Sequence, residues 1–226
     1  MITIHTPTPN PDQSIDFYHR LGFRQISETP ILFTDGIALI EINPDRYARA
    51  GVKLYGERWH DHQALIELLT PVTKTSDGYL FADPSGVYVY WAEETPSIEF
   101  TPESQCFSTL GNFAGLSLET SDMQRSAVLY ETLGWKVSGG SAEGGYLALD
   151  LDGFGISLMR PQTCPHLFFN PSMTYFNSGK NPEVIAKLRE LDIPLTEEIT
   201  HFNPEGIVDN VIIRDPGGYG CFVFND

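Results

Sequence analysis

The chain has 226 residues, 41% of them hydrophobic, enough to bury a substantial core without help from a metal or disulfides. Thirty acidic residues against fourteen basic ones leave a formal charge of −16, which repels phosphate backbones and anionic lipid and argues against nucleic acid or a membrane as partner. No apolar run approaches the roughly 20 residues of a membrane span, the opening MITIHTPTPN lacks a basic-then-apolar leader, and Cys106, Cys164 and Cys221 are too few and too widely spaced for a disulfide framework, so a cytoplasmic protein is expected.

Met1 to His5 is a short β-prone run. Asn10 and Pro11 then supply a cap and a first helical residue, with Gln13 as a capping-box partner, and the helix is expected to reach about Leu21 with Ile15, Tyr18 and Leu21 as its apolar stripe. Gly22 provides the left-handed residue that ends it. Short strands are expected at 24–27, 30–34 and 37–42, with Asp35 and Gly36 as a two-residue hairpin turn. A weaker version of the same order follows: a strand at 52–55, a helix at 62–69 stopped by Pro71, and strands at 79–82 and 87–91 joined through Asp83, Pro84, Ser85 and Gly86. Residues 95–110 carry prolines and little periodicity and read as a linker.

The third unit opens with a strand at 113–118 and a helix capped by Ser121, whose apolar face includes Val128 and Leu133. The Gly-rich passage 139–145 reads as a hairpin loop, since it lacks a Gly-Lys-Ser/Thr ending and opens no helix. Strands at 146–151 and 154–159 flank Asp152 and Gly153. The last unit has a strand at 173–176, a helix begun by Asn181 and Pro182 with Val184, Ile185, Leu188 and Leu191 on one face, and strands at 208–214 and 220–224 joined through Asp215, Pro216, Gly217 and Gly218.

These units repeat. Ser14 and Ser126, Tyr18 and Tyr130, Leu21 and Leu133, and Gly22 and Gly134 each lie 112 residues apart, while Asp83 and Asp215, Pro84 and Pro216, and Gly86 and Gly218 each lie 132 apart. Four β-α-β-β-β modules result, with Ser-x-x-x-Tyr-x-x-Leu-Gly helices in the odd ones and Asp-Pro-x-Gly hairpins in the even ones. This pattern resembles the vicinal oxygen chelate superfamily, which includes glyoxalase, bleomycin-resistance proteins, fosfomycin-resistance enzymes and extradiol dioxygenases. The resemblance implies an α+β fold of four βαβββ modules forming two paired half-barrel domains: modules 1–50 and 51–95, a linker at 96–110, then modules 111–162 and 163–226. Pairing across chains also occurs in that group, which leaves a homodimer among the open arrangements.

Fold does not fix function. Metal-using members place His, Gln or Glu on a module's first strand and Glu on its last, and the resemblance assigns those positions to Thr3, Gly115, Tyr90 and Phe222, with Leu158 as the counterpart of Glu41. Most of these side chains cannot ligate a divalent ion. His5 and Glu41 are the remaining pair, one ligand short of a usual catalytic site, and Glu41 is also the candidate general base. Tyr88 and Tyr90 share one strand face, as do Phe222 and Phe224, and with Ser117 they are candidate lining for a pocket that takes a planar or cationic molecule. His19, His60, His62, His166 and His201 lack ligand-spaced partners and read as surface or loop residues. The leading expectation is a metal-independent small-molecule-binding protein with no cofactor. The alternatives are a lyase, isomerase or dioxygenase using a divalent ion at His5 and Glu41, and a non-catalytic interaction module with a vestigial cavity.

Overall fold

The computed structural model describes residues 1–225. The first half runs β1 (Ile2–Pro7), α1 (Pro11–Arg20), β2 (Arg24–Glu28), β3 (Ile31–Thr34), β4 (Leu39–Asn43), β5 (Gly51–Tyr55), α2 (Trp59–Leu69), β6 (Thr73–Lys74), β7 (Gly78–Ala82) and β8 (Tyr88–Ala92). The second repeats it as β9 (Asn112–Glu119), α3 (Met123–Thr132), β10 (Lys136–Ser141), β11 (Tyr146–Leu151), β12 (Phe154–Met159), β13 (Ser172–Phe176), α4 (Asn181–Glu190), β14 (Leu195–Ile199), β15 (Asn210–Arg214) and β16 (Gly220–Phe224). Each half is one eight-stranded sheet, ordered β2-β3-β4-β1-β5-β8-β7-β6 and β10-β11-β12-β9-β13-β16-β15-β14. Within each module the first and last strands pair in parallel, which requires the helical crossover between them, and the two modules of a half meet along their antiparallel first strands. Among the described residues no helix is long and apolar enough to cross a membrane.

Local chemistry explains most element ends. Asn10 Oδ1 accepts from the Gln13 amide at 3.4 Å, Pro11 starts α1, and Gly22 follows it at φ +84°. Two other caps differ from expectation. Asp122, not Ser121, caps α3 by accepting from the Arg125 amide at 3.0 Å, and the helix buries Ala127, Leu129 and Tyr130 while Val128 is exposed. Lys180 occupies the cap position of α4 without a side-chain bond, because the Asn181 amide is drawn into the core, where it donates to the carbonyls of Asp209 at 2.6 Å and Val223 at 2.9 Å. Strands β6, β10 and β14 were not expected from sequence. All three are sheet edges with mostly exposed, polar residues, the composition by which edges resist further pairing and which erases an alternating signal.

The β3–β4 connection corrects a register. Thr34 pairs with Leu39, so the loop is four residues, held by Asp35 Oδ1 accepting from the amides of Ile37 at 2.9 Å and Ala38 at 2.7 Å. Leu151 pairs with Phe154, so Asp152 (φ 51°) and Gly153 (φ 89°) form a true two-residue turn. Because His5 pairs with Glu41 and Ser117 with Ser157, the counterpart of Glu41 is Ser157. Leu158, one residue on, points to the opposite face and is fully buried in the core.

One hydrophobic cluster runs through both halves, including Ile4, Tyr18, Phe33 and Trp59 with Leu118, Tyr130, Trp135 and Tyr175. The repeated motif residues meet across that junction. Tyr18 on α1 donates to Asp215 Oδ2 at 3.0 Å in the last hairpin, and Tyr130 on α3 donates to Asp83 Oδ2 at 2.9 Å in the hairpin of module two. Tyr175 donates likewise to Asp35 Oδ2 at 2.8 Å, and Thr6 to Asp215 Oδ2 at 2.5 Å. All three carboxyls are buried, and burial pushes their pKa values up, while burial followed by the neighbouring carboxyl pushes the three phenols well above their ordinary value and keeps them protonated donors. A second reciprocal pair caps helix ends: Arg20 donates to the Leu191 carbonyl after α4 at 2.9 Å, and Arg125 donates to the Leu69 carbonyl ending α2.

Candidate functional site

Register places the same positions side by side on the face of each sheet opposite its helices. In the first half Thr3 pairs with Lys53, Lys53 with Tyr90, and Glu41 with His5. In the second, Gly115 pairs with Thr174, Thr174 with Phe222, and Ser157 with Ser117. Each ionisable or imidazole side chain of the first set is thus replaced by Ser or Thr in the second, Tyr90 by Phe222, and Thr3 by Gly115.

The first set forms a closed polar network. The Glu41 side chain, 5% exposed, takes the Lys53 ammonium on Oε1 at 2.9 Å, and on Oε2 it accepts from Tyr55 at 2.5 Å and Thr3 at 3.2 Å. Burial, then the Glu41 charge, raises the Tyr55 pKa and keeps that phenol a donor. His5 is fully buried, its pKa lowered chiefly by desolvation, so the ring is neutral. Its Nδ1 lies 3.1 Å from the Arg49 carbonyl and its Nε2 lies 2.9 Å from Asn43 Nδ2, partners that assign the proton to Nδ1. Tyr90 packs on the imidazole at 4.1 Å between centroids, accepts from the Arg49 amide at 2.8 Å and donates to the Arg49 carbonyl at 3.1 Å. Lys53 and Tyr55 also line an open cleft of about 570 Å³ that includes Asp77, Glu93 and Glu94, and Glu41 lies beneath them. Tyr88 sits half-buried 6.5 Å from Tyr90. Glu41 is held by three donors, one of them an ammonium that neutralises it, and both imidazole nitrogens of His5 are committed, so neither side chain is presented free to a substrate or an ion.

The second set encloses a cavity of about 190 Å³. Its polar floor is Ser117 and Thr174, 2.7 Å apart, and Ser157. Phe222 and Phe224 stack at 5.4 Å, Phe168 meets Phe222 at 5.1 Å, and the half-buried His166 packs on both stacked rings at 5.2 and 5.4 Å. Residues 164–168 carry no ligand-like spacing or periodicity. His166, Cys164 and Phe168 therefore reach this cavity only through the path of a loop, which is why His166 read as a bystander in the sequence.

The chain has the fold of the vicinal oxygen chelate superfamily, with the βαβββ module duplicated in each half. The 2,3-dioxygenase LapB from Pseudomonas sp. KL28 superposes with a TM-score of 0.59 at 12% identity, covering 99% of this chain and 91% of that one. BphC, a halotolerant catechol dioxygenase, gives 0.53 at 14% identity over 99% and 85% of the two chains. A variant of homoprotocatechuate 2,3-dioxygenase from B. fuscum gives 0.59 at 15% identity over 99% and 70%. No family model matches the chain. No curated protein matches it either.

The divalent ion used by metal-dependent proteins of this fold does not fit the residues present. Lys53 Nζ, a fixed positive charge, already neutralises Glu41, and Thr3 is engaged as a donor to the same carboxylate. In the second half Gly115 has φ +125°, and a Cβ there would lie 2.2 Å from the Gly155 carbonyl oxygen, so no ligating side chain can be carried at that position. Among the described residues no three His, Cys, Asp or Glu side chains are placed to share an ion.

Proposed function

We propose that this protein is a non-catalytic interaction module built on the dioxygenase-type fold, the cavities on the inner faces of its two sheets vestigial. The observation that carries the reading is the Thr3–Glu41–Lys53–Tyr55 network: the carboxylate a metal would need is ion-paired with the chain's own ammonium group and ties β1, β4 and β5 together. The test is elemental analysis of protein produced with excess Fe, Mn, Ni and Zn and purified without chelators. Substoichiometric metal, unchanged by Glu41→Gln, is expected. One ion per chain, lost in that variant, refutes the proposal and supports a lyase, isomerase or dioxygenase at His5 and Glu41.

A second reading, sequestration of a small ligand, is favoured by the aromatic cavity of the second half. Its roughly 190 Å³ is comparable to the ~150 Å³ apolar cavity known to admit benzene, so it has room for a single ring and not for a drug-sized molecule. Saturation-transfer NMR with phenol and benzylamine tests it, signal lost on Ser157→Leu being the supporting result and no transfer to the wild type the refuting one.

A further inference from the structure

A chamber of about 670 Å³ lies where the two halves meet, and none of the inner-face positions described above lines it. Its walls come from three sources: Ile37 and Leu39 from the first half, Phe113 and Phe154 from the second, and Ile98 and Phe100 from the connecting segment. That segment is held at both ends, by the Glu93 amide on the Asp77 carbonyl at 3.1 Å and the Glu103 amide on the Gly36 carbonyl at 2.7 Å. Between them Ile98 and Phe100 are half-buried while Ser97, Glu99 and Thr101 are exposed, so the strap turns its apolar residues inward over the chamber.

Size and charge both point to a ligand class. The volume falls within the ~300–1,000 Å³ of small-molecule sites, over three times that of the second-half cavity. No Lys, Arg or His side chain lines the chamber, and its charged groups are Glu103, Asp152 and the Met1 ammonium, which donates to the Tyr55 carbonyl at 3.2 Å and whose pKa burial lowers. Glu103 is shared with Arg24 at 2.8 Å, and Asp152 is exposed in its turn with no ion pair among the described residues. We propose that this junction binds a lipophilic cation, an apolar chain or ring system seated against the aliphatic and Phe walls with an amine or quaternary ammonium facing Asp152. A carboxylate-bearing amphiphile would meet like charge there, in a protein whose overall field is also negative.

The experiment titrates the full chain calorimetrically with n-decyltrimethylammonium, n-decanol and n-decanoate, each below its micellar concentration. The cation is expected to bind with a submillimolar Kd and the carboxylate about tenfold or more weakly. Asp152→Asn, a side chain that tolerates the left-handed turn equally well, should weaken the cation about three- to tenfold and leave the alcohol unchanged. Ile98→Trp, which fills the chamber, should weaken both about tenfold, with circular dichroism confirming the fold, and Ser157→Leu in the second-half cavity should change neither. Equal affinity for cation and carboxylate overturns the proposal. So does the absence of cation binding at millimolar concentration, an unaltered Asp152→Asn, or loss of binding in Ser157→Leu.

Discussion

Lys53→Met removes the ammonium that neutralises a carboxylate 2.9 Å away, in a pair whose side chains are 13% and 5% exposed. Breaking a buried pair from one side costs about 3–5 kcal/mol, because the remaining charge stays in a medium that solvates it poorly. Here Thr3 and Tyr55 still donate to Glu41 Oε2, which places the expected loss near the lower end, about 3 kcal/mol. For a chain of this size each kcal/mol corresponds to about 2–4 °C, so the melting temperature should fall by about 6–12 °C. Urea denaturation of wild type, Lys53→Met, Glu41→Gln and the double variant completes a cycle. If the pair is a structural replacement for an ion, the double variant should return to within about 1 kcal/mol of wild type, since an apolar and neutral pair in the same space carries no stranded charge. A Lys53→Met protein within about 1 kcal/mol of wild type, or a double variant no better than the worse single one, would refute the account of Glu41 as a structural carboxylate.

The reciprocal Tyr–Asp bonds between halves make a second prediction: Tyr18→Phe and Tyr130→Phe should each cost about 1.5–3 kcal/mol by chemical denaturation, whereas Tyr146→Phe, at an exposed side chain of β11, should cost under about 0.5 kcal/mol. Equal effects at all three sites would show that the junction does not depend on those bonds. Gly115→Ala must place a methyl 2.2 Å from a backbone oxygen at φ +125°, and a loss of about 2–6 kcal/mol from overpacking and strain together is expected; a thermal shift under about 2 °C would contradict it. Stability should also respond to pH with a definite sign. The folded-state pKa of Asp83 is raised by burial, so its contribution is full below the unfolded-state value and is lost as pH rises through the folded one. Wild type should therefore gain on Asp83→Asn as pH falls from about 7 toward 4 in urea titrations, and a gap moving the other way counts against the assignment.

What could be read without coordinates was local. Asn10, Pro11 and Gly22 specify α1 through cap and backbone geometry that act within one turn, and Asp152–Gly153 specifies a hairpin for the same reason. The four-module order followed from those signals recurring at fixed offsets. Loop length was less legible: Asp35–Gly36 resembles Asp152–Gly153, yet Asp35 organises a four-residue loop, and one residue of slip exchanged Leu158 for Ser157 on the inner face. Edge strands such as β10 stayed hidden because their exposed residues carry little of the hydrophobic alternation that marks a buried strand.

The sequence by itself determined the duplicated α+β modules, through residue identity and spacing, and the resemblance those modules carry placed non-ligating side chains, Thr3, Gly115, Tyr90 and Phe222, where metal-using members hold their ligands. Only the tertiary structure decided what the remaining polar groups do. Lys53 reaches Glu41 from a strand twelve residues on, and Asp83 and Asp215, which hold their hairpins with Oδ1 as expected, also accept on Oδ2 from tyrosines in the opposite half. Such pairings are set by sheet register and by the packing of two halves, long-range contacts that no local spacing encodes. They consume in structure the carboxylates and the imidazole that a reader of the sequence would reserve for chemistry.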